Sequence, residues 1–247
     1  GGIRGQGNDY TLARTPAFSR NKWGWAFDNG AGGTNPIFYR EAREISVFAG
    51  GKTDSIVTGV QITDDTAIND DAICRITGNA SGIANGSLPY TSLLLTSTTN
   101  VRHYSATTAG NISTDHTLST ALATGDYVVL GHSKRAAAGD NDYNLYVDGM
   151  FESNVNTAGS SHTAASYYNG AMLIGAARNN GFSLFNCGVV NFSMFWNREL
   201  TANEHFEIAR DPYQVFRSIG SGVFSNSAAV ATALLSHPHR HTNLGFS

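Results

Sequence analysis

Charge is what this chain has least of. Only 14% of its 247 residues are Asp, Glu, Lys or Arg, against about 25% in an average soluble domain. Lysine occurs three times and glutamate six times. Helix surfaces are built largely from those two residues with Ala and Leu, so their scarcity argues against an all-helical fold. The cations are scattered and the formal net charge is -3, which excludes a nucleic-acid binder working by bulk phosphate neutralisation. No apolar run approaches the ~20 residues of a membrane span. The two cysteines, Cys74 and Cys187, have no zinc or redox spacing. They read either as small buried hydrophobes or as a disulfide. The chain opens at Gly1 with no charged and apolar leader, as expected of a processed product, a fragment, or a chain given without its start.

What is present is strand and turn chemistry. Thr, Ser, Asn, Val and Tyr recur throughout, and glycine reaches 27 residues, a composition of short strands joined by Gly, Asn and Asp turns. Strand-like runs fall at 45–49, 56–62, 92–96, 127–130 and 143–147. In 56–62, Ile56, Val60 and Ile62 share a face; in 143–147, Tyr143, Leu145 and Val147 share one face, Asn144 and Tyr146 the other. Asp148-Gly149 then predicts a type I′ hairpin. In 189–196, Val190, Phe192, Met194 and Trp196 lie on one side and Asn191 and Ser193 on the other. That spacing predicts an inner-face sandwich strand with a partly wetted outer row. Thr201 and Glu204 form a capping box, so a helix runs through Ala209 and stops near Asp211, before Pro212. The expected fold is all-β: a two-sheet antiparallel jelly-roll sandwich with one short C-terminal helix, over residues 1–217. Residues 218–247 are a C-terminal extension, Gly/Ser-rich at first, apolar over 228–235, and ending in alternating His237, His239 and His241. Thirty residues are too few to bury a sizeable core alone.

Four segments carry a family resemblance. They are Gly7-Asn8-Asp9-Tyr10 with Thr15-Pro16-Ala17-Phe18-Ser19; Trp23-Gly24-Trp25-Ala26-Phe27; Asn144-Leu145-Tyr146-Val147-Asp148-Gly149; and Phe195-Trp196-Asn197-Arg198-Glu199-Leu200-Thr201-Ala202-Asn203-Glu204. Together they resemble the laminin G-like branch of the concanavalin A-like lectin/glucanase superfamily. Asp211-Pro212-Tyr213-Gln214-Val215-Phe216 is similar to the ending of bacterial and phage-borne versions. One departure is His205, where the family usually packs an aliphatic residue from the helix onto the sheet. The resemblance implies a non-catalytic recognition or adhesion module, binding glycan or a protein partner. It also implies a place on a virion surface or in the extracellular space, as a phage decoration, fibre or tail component. A purely structural virion or assembly protein is the alternative.

Chemistry is not expected. Retaining glycoside hydrolysis needs two carboxyl groups ~5–5.5 Å apart, which the family's glucanases place on one strand as Glu-x-Asp-x-Glu. That pattern is absent. Glu41 and Glu44 are three apart, so a strand aims them at opposite faces; Glu204 is taken by the cap; Glu199 and Glu207 read as solvated. No Gly-x-Ser-x-Gly elbow occurs, so no catalytic residue is assigned and the chain reads as no enzyme.

Binding candidates remain. Asp140, Asp142 and Asn144 alternate in a loop led by Gly139, and oxygen ligands so spaced converge on a hard cation, making calcium the candidate cofactor. The competing reading is Asx side chains bonding their own backbone. Asp64, Asp65, Asp70 and Asp71 form a second acidic loop, either cation-filled or splayed in water. Tyr167 and Tyr168, with Arg178, Asn179 and Asn180, fall in loops between strands. Aromatic faces stack on sugar rings while Asn and Arg donate to hydroxyls, so these five are the candidate ligand site; ordinary hairpin turns are the alternative. The terminal histidines read as a zinc or nickel clamp or as a tail. The apolar 228–235 stretch points to docking on a like chain, giving a homo-oligomer, or on virion shell proteins.

Overall fold

The structure, a computed structural model, describes residues 17–22, 24–28, 38–39, 49–50, 53–77, 90–107, 110–137, 140–157, 166–167, 172–175 and 185–214. Among these residues lie fifteen strands and one α helix. The strands are β1 (Ala17–Asn21), β2 (Gly24–Asp28), β3 (Phe38–Tyr39), β4 (Ala49–Gly50), β5 (Asp54–Ile62), β6 (Asp71–Thr77), β7 (Tyr90–Ser97) and β8 (Asn100–Thr107). They continue as β9 (Gly110–Thr117), β10 (Tyr127–Ala137), β11 (Asp140–Val147), β12 (Met150–Asn156), β13 (Ser166–Tyr167), β14 (Met172–Ile174) and β15 (Gly188–Trp196). Helix α1 spans Ala202–Arg210. A seven-stranded sheet runs β1-β2-β15-β5-β10-β11-β12, a six-stranded one β3-β14-β6-β7-β8-β9, and β13 pairs with β4. The strand pairings are antiparallel. The fold is thus the expected all-β jelly-roll sandwich with one short helix.

Period two sorts each strand between two apolar layers. Ile56, Val60 and Ile62 of β5, Val128 and Leu130 of β10 and Leu145 of β11 pack between the sheets against Leu93, Leu95, Val101 and Leu118. Cys74 and Cys187 join that layer as free thiols. On the other side of the seven-stranded sheet, Val57, Val129, Phe192, Leu200 and Ile208 form a second layer beneath α1. Strand β5 is therefore covered on both faces.

Strand β15 departs from its sequence reading. Val190 does face the inter-sheet layer, but Phe192, Met194 and Trp196 pack beneath the helix. The cause is a bulge at Asn191: Val190 pairs with Val60, yet Phe192 pairs with the next residue back, Gly59. One extra residue reverses which side chains point inward. Ser193 consequently turns inward and bonds Thr58 Oγ1 at 2.9 Å. Gly59 accommodates the change, because a Cβ there would stand 2.3 Å from the Phe192 ring.

The helix end is fixed locally. Thr201 accepts from the Glu204 N–H, and the Glu204 carboxylate accepts from the Thr201 N–H, the reciprocal box the sequence predicts. Arg198 Nη2 adds a 2.6 Å ion pair to Glu204, and its hydrogen bond holds that carboxyl down at about 2. His205 docks the helix. Its Nε2 and the Ser133 hydroxyl share a 2.7 Å hydrogen bond, and its ring stacks on Tyr146 at 4.0 Å. At the β11–β12 hairpin Asp148 and Gly149 have φ of 50° and 81°, the left-handed pair a type I′ turn requires.

Candidate functional site

Each described acidic side chain that the sequence singles out has partners of its own. Asp142 and Asn144 belong to strand β11, not to a loop, because β11 pairs along this length with both β10 and β12. Asp142 pairs with Arg135 and accepts from Asn156 Nδ2 at 2.8 Å; Asn144 accepts from Asn154 Nδ2 at 2.8 Å. The Asp140 backbone starts the strand; its side chain lies outside the described residues. In the second loop, Asp64 accepts from Thr66 N–H at 3.0 Å, Asp65 from the Thr124 hydroxyl at 2.9 Å, and Asp70 pairs with Arg102 at 3.3 Å. Asp71 is buried instead of splayed in water, accepting from the N–H groups of Asn69 and Asn186. Among the described residues, no group of three or more His, Cys, Asp or Glu side chains is arranged to hold a metal ion. Tyr167 is described as backbone of β13; Tyr168, Arg178, Asn179 and Asn180, the histidine tail and the 218–247 extension lie outside the described residues.

A polar cluster that the sequence did not flag stands on the outer face of the six-stranded sheet. Hairpin β8–β9 sets Arg102 opposite Asp115. The Arg102 Nε and Nη2 groups donate to the two Asp115 oxygens at 2.7 and 3.0 Å, and Nη1 donates to Asp70 at 3.3 Å. Three of the five guanidinium N–H groups are so used, leaving two without a partner among the described residues. Two positions along the same face, half-buried Tyr104 packs on Ala72 and Leu94. The alternation Arg102-His103-Tyr104 carried the signal: period two puts the cation and the aromatic ring on one face.

The inter-sheet space turns polar at one end. His132 of β10 stacks on His103 of β8 at 3.9 Å, with His116 of β9 edge-on at 5.7 Å and Tyr143 of β11 at 5.8 Å. His103 Nε2 bonds Thr91 Oγ1 at 2.8 Å, and His116 Nδ1 bonds Ser153 Oγ at 2.9 Å. Burial, reinforced by neighbouring His103 and His116, pushes His132 well below the ordinary histidine range. Burial likewise holds His116 at about 4. Beyond this box, Lys134 Nζ meets Asp54 Oδ2 at 2.9 Å, with side chains 0% and 5% exposed. These groups are sealed from solvent.

A third feature is apolar and open: Met150 and Phe151, 63% and 57% exposed at the β11–β12 hairpin, and Phe206 on α1. Hairpin and helix touch at Gly149, where a Cβ would stand 2.5 Å from Phe206 Cα.

No family model matches the chain, and no curated protein matches it. Solved structures do. A heptameric SAP-like pentraxin from Limulus polyphemus matches with TM-score 0.52 at 14% identity, over 74% of this chain and 80% of that one. A Trypanosoma rangeli sialidase in complex with 2,3-difluorosialic acid matches with TM-score 0.52 at 14% identity. That match covers 80% of this chain but only 29% of the sialidase. The Ruminococcus gnavus IT-sialidase CBM40 bound to α2,3-sialyllactose gives 0.48 at 11% identity, over 70% of this chain and 95% of that one. At such identity the likeness to the first two shows a fold alone, the two-sheet jelly-roll sandwich.

Proposed function

We propose that this chain is a non-catalytic recognition module that binds glycan through the outer face of its six-stranded sheet. The observation that carries the reading is the Arg102–Asp115 pair beside Tyr104. A planar cation with unused donors, carboxylate acceptors and an aromatic ring, all on paired strands, are the groups that grip sugar hydroxyls and a sugar's apolar face. Strand-borne side chains hold such geometry better than loop-borne ones. The closing motif, similar to phage-borne laminin G-like modules, supports display on a virion as decoration, fibre or tail component.

The test is a glycan array, run with and without calcium, on the parent chain and on Arg102→Ala and Tyr104→Ala. Discrete hits that both variants lose, with melting temperatures near the parent's, are expected. A blank array for the parent, or hits indifferent to both substitutions, sinks the reading.

One observation favours a second reading. The exposed Phe151, whose ring meets Tyr146 on the helix side, and the exposed Phe206 of α1 support an assembly role, in which the sandwich docks by its helix side on another protein and glycan binding is absent.

A further inference from the structure

The Asp54–Lys134 contact has the makings of a covalent bond. Asp54 and Lys134 are directly opposite in the pairing of β5 with β10, and Tyr143 is opposite Lys134 on β11. The three buried side chains form one row facing the other sheet. Nζ stands 2.9 Å from Oδ2, yet among the described residues no aligned hydrogen bond reaches either Asp54 oxygen or the Lys134 nitrogen. Most ion pairs among the described residues lie at the surface, where water shares their charge. This one is dry. Two charges held in a low-dielectric interior, without further hydrogen bonds, are costly. Burial raises the Asp54 carboxyl pKa, with the Lys134 charge opposing. Fixed contact between the two groups then replaces a bimolecular encounter with an intramolecular one.

We propose that Lys134 and Asp54 condense to an amide that covalently staples β10 to β5. Nζ passes one proton to the carboxylate, and its freed lone pair attacks Cγ and forms the Nζ–Cγ bond. The Cγ–O bond to the hydroxyl breaks, and that hydroxyl leaves as water with a proton given up by Nζ. One amine and one carboxylic acid yield one secondary amide and one water. Nothing is oxidised or reduced, and no outside reagent enters. The product replaces two buried charges with a neutral group. It also closes residues 54–134 into a ring that contains β6, β7, β8 and β9, which belong to the opposite sheet.

A persistent salt bridge differs from this amide by one water molecule, so intact-mass measurement of the denatured full chain decides between them. The expected mass is that of the sequence less one water. A protease digest is expected to contain a branched peptide joining the segment holding Asp54 to the one holding Lys134. The branch is essential, because dehydration at Asp148-Gly149 would lose the same mass within one linear peptide. Lys134→Arg keeps the cation but cannot form the bond, and should restore the full sequence mass. A parent chain that keeps the sequence mass after prolonged incubation, or that yields only linear peptides, overturns the proposal; both readouts stand even where the Arg variant fails to fold.

Discussion

Among the described residues, histidine is an interior residue. His103, His116, His132 and His205 are all buried, and burial holds both His116 and His205 at about 4, against an ordinary 6.5. Both are therefore neutral in the folded chain and titrate near 6.5 when it unfolds. Above that value neither form binds the proton and stability is level. As pH falls from 6.5 toward 4 the unfolded chain takes up protons that the folded one refuses, so stability falls by roughly 1.4 kcal/mol per pH unit for each group. Urea denaturation from pH 7.5 to 4.5 should show this slope. His205→Leu, which sets an aliphatic side chain between α1 and the sheet, should flatten it by one group's share while keeping the fold; an unchanged slope would show that His205 titrates normally. Part of this was readable beforehand. Val128 and Leu130 set the inward parity of β10, and the same parity carries His132 and Lys134 inside. A lone lysine nonetheless reads as solvated, since only its partner Asp54, eighty positions away in sequence, makes burial tolerable.

At the scale of elements, legibility followed range. The capping box at Thr201 and the Asp148-Gly149 turn are decided by neighbours within four residues, and both stand where the sequence places them. The bulge at Asn191 is not local. It depends on Gly59, a strand away, leaving space for the Phe192 ring, and alternation alone gives no hint of it. The loop placement of Asp142 and Asn144 fails for a similar reason: they look like loop residues until β12 supplies Asn154 and Asn156 as donors. Gly149 joins hairpin to helix and is sensitive on two counts. Its φ of 81° disfavours a side chain, and an added Cβ would collide with the α1 backbone at Phe206 and with His205 O. Gly149→Ala should therefore cost more than ~1 kcal/mol and hasten amide exchange in 202–210 more than in β7 and β8. Uniform exchange across both regions would contradict the coupling.

For the molecule as a whole, composition pointed to the sandwich, whereas the sheet order, with β15 inserted between β2 and β5, required long-range pairing no window of sequence displays. The exposed Met150 and Phe151 at the β11–β12 hairpin bear on assembly. If that surface docks like chains, Met150→Asp combined with Phe151→Asp should shift mass photometry of the full chain from a discrete oligomer to monomer, with glycan hits retained. An oligomer untouched by both substitutions would place the contact elsewhere. Strand β5 has no solvent side: its inward residues meet the opposite sheet, its outward ones lie under the helix, and 54–60 are buried throughout. Anyone re-engineering the molecule thus has latitude at the hairpin tips and almost none along this central rib, where even a shift by one position would exchange the inward and outward sets at a stroke.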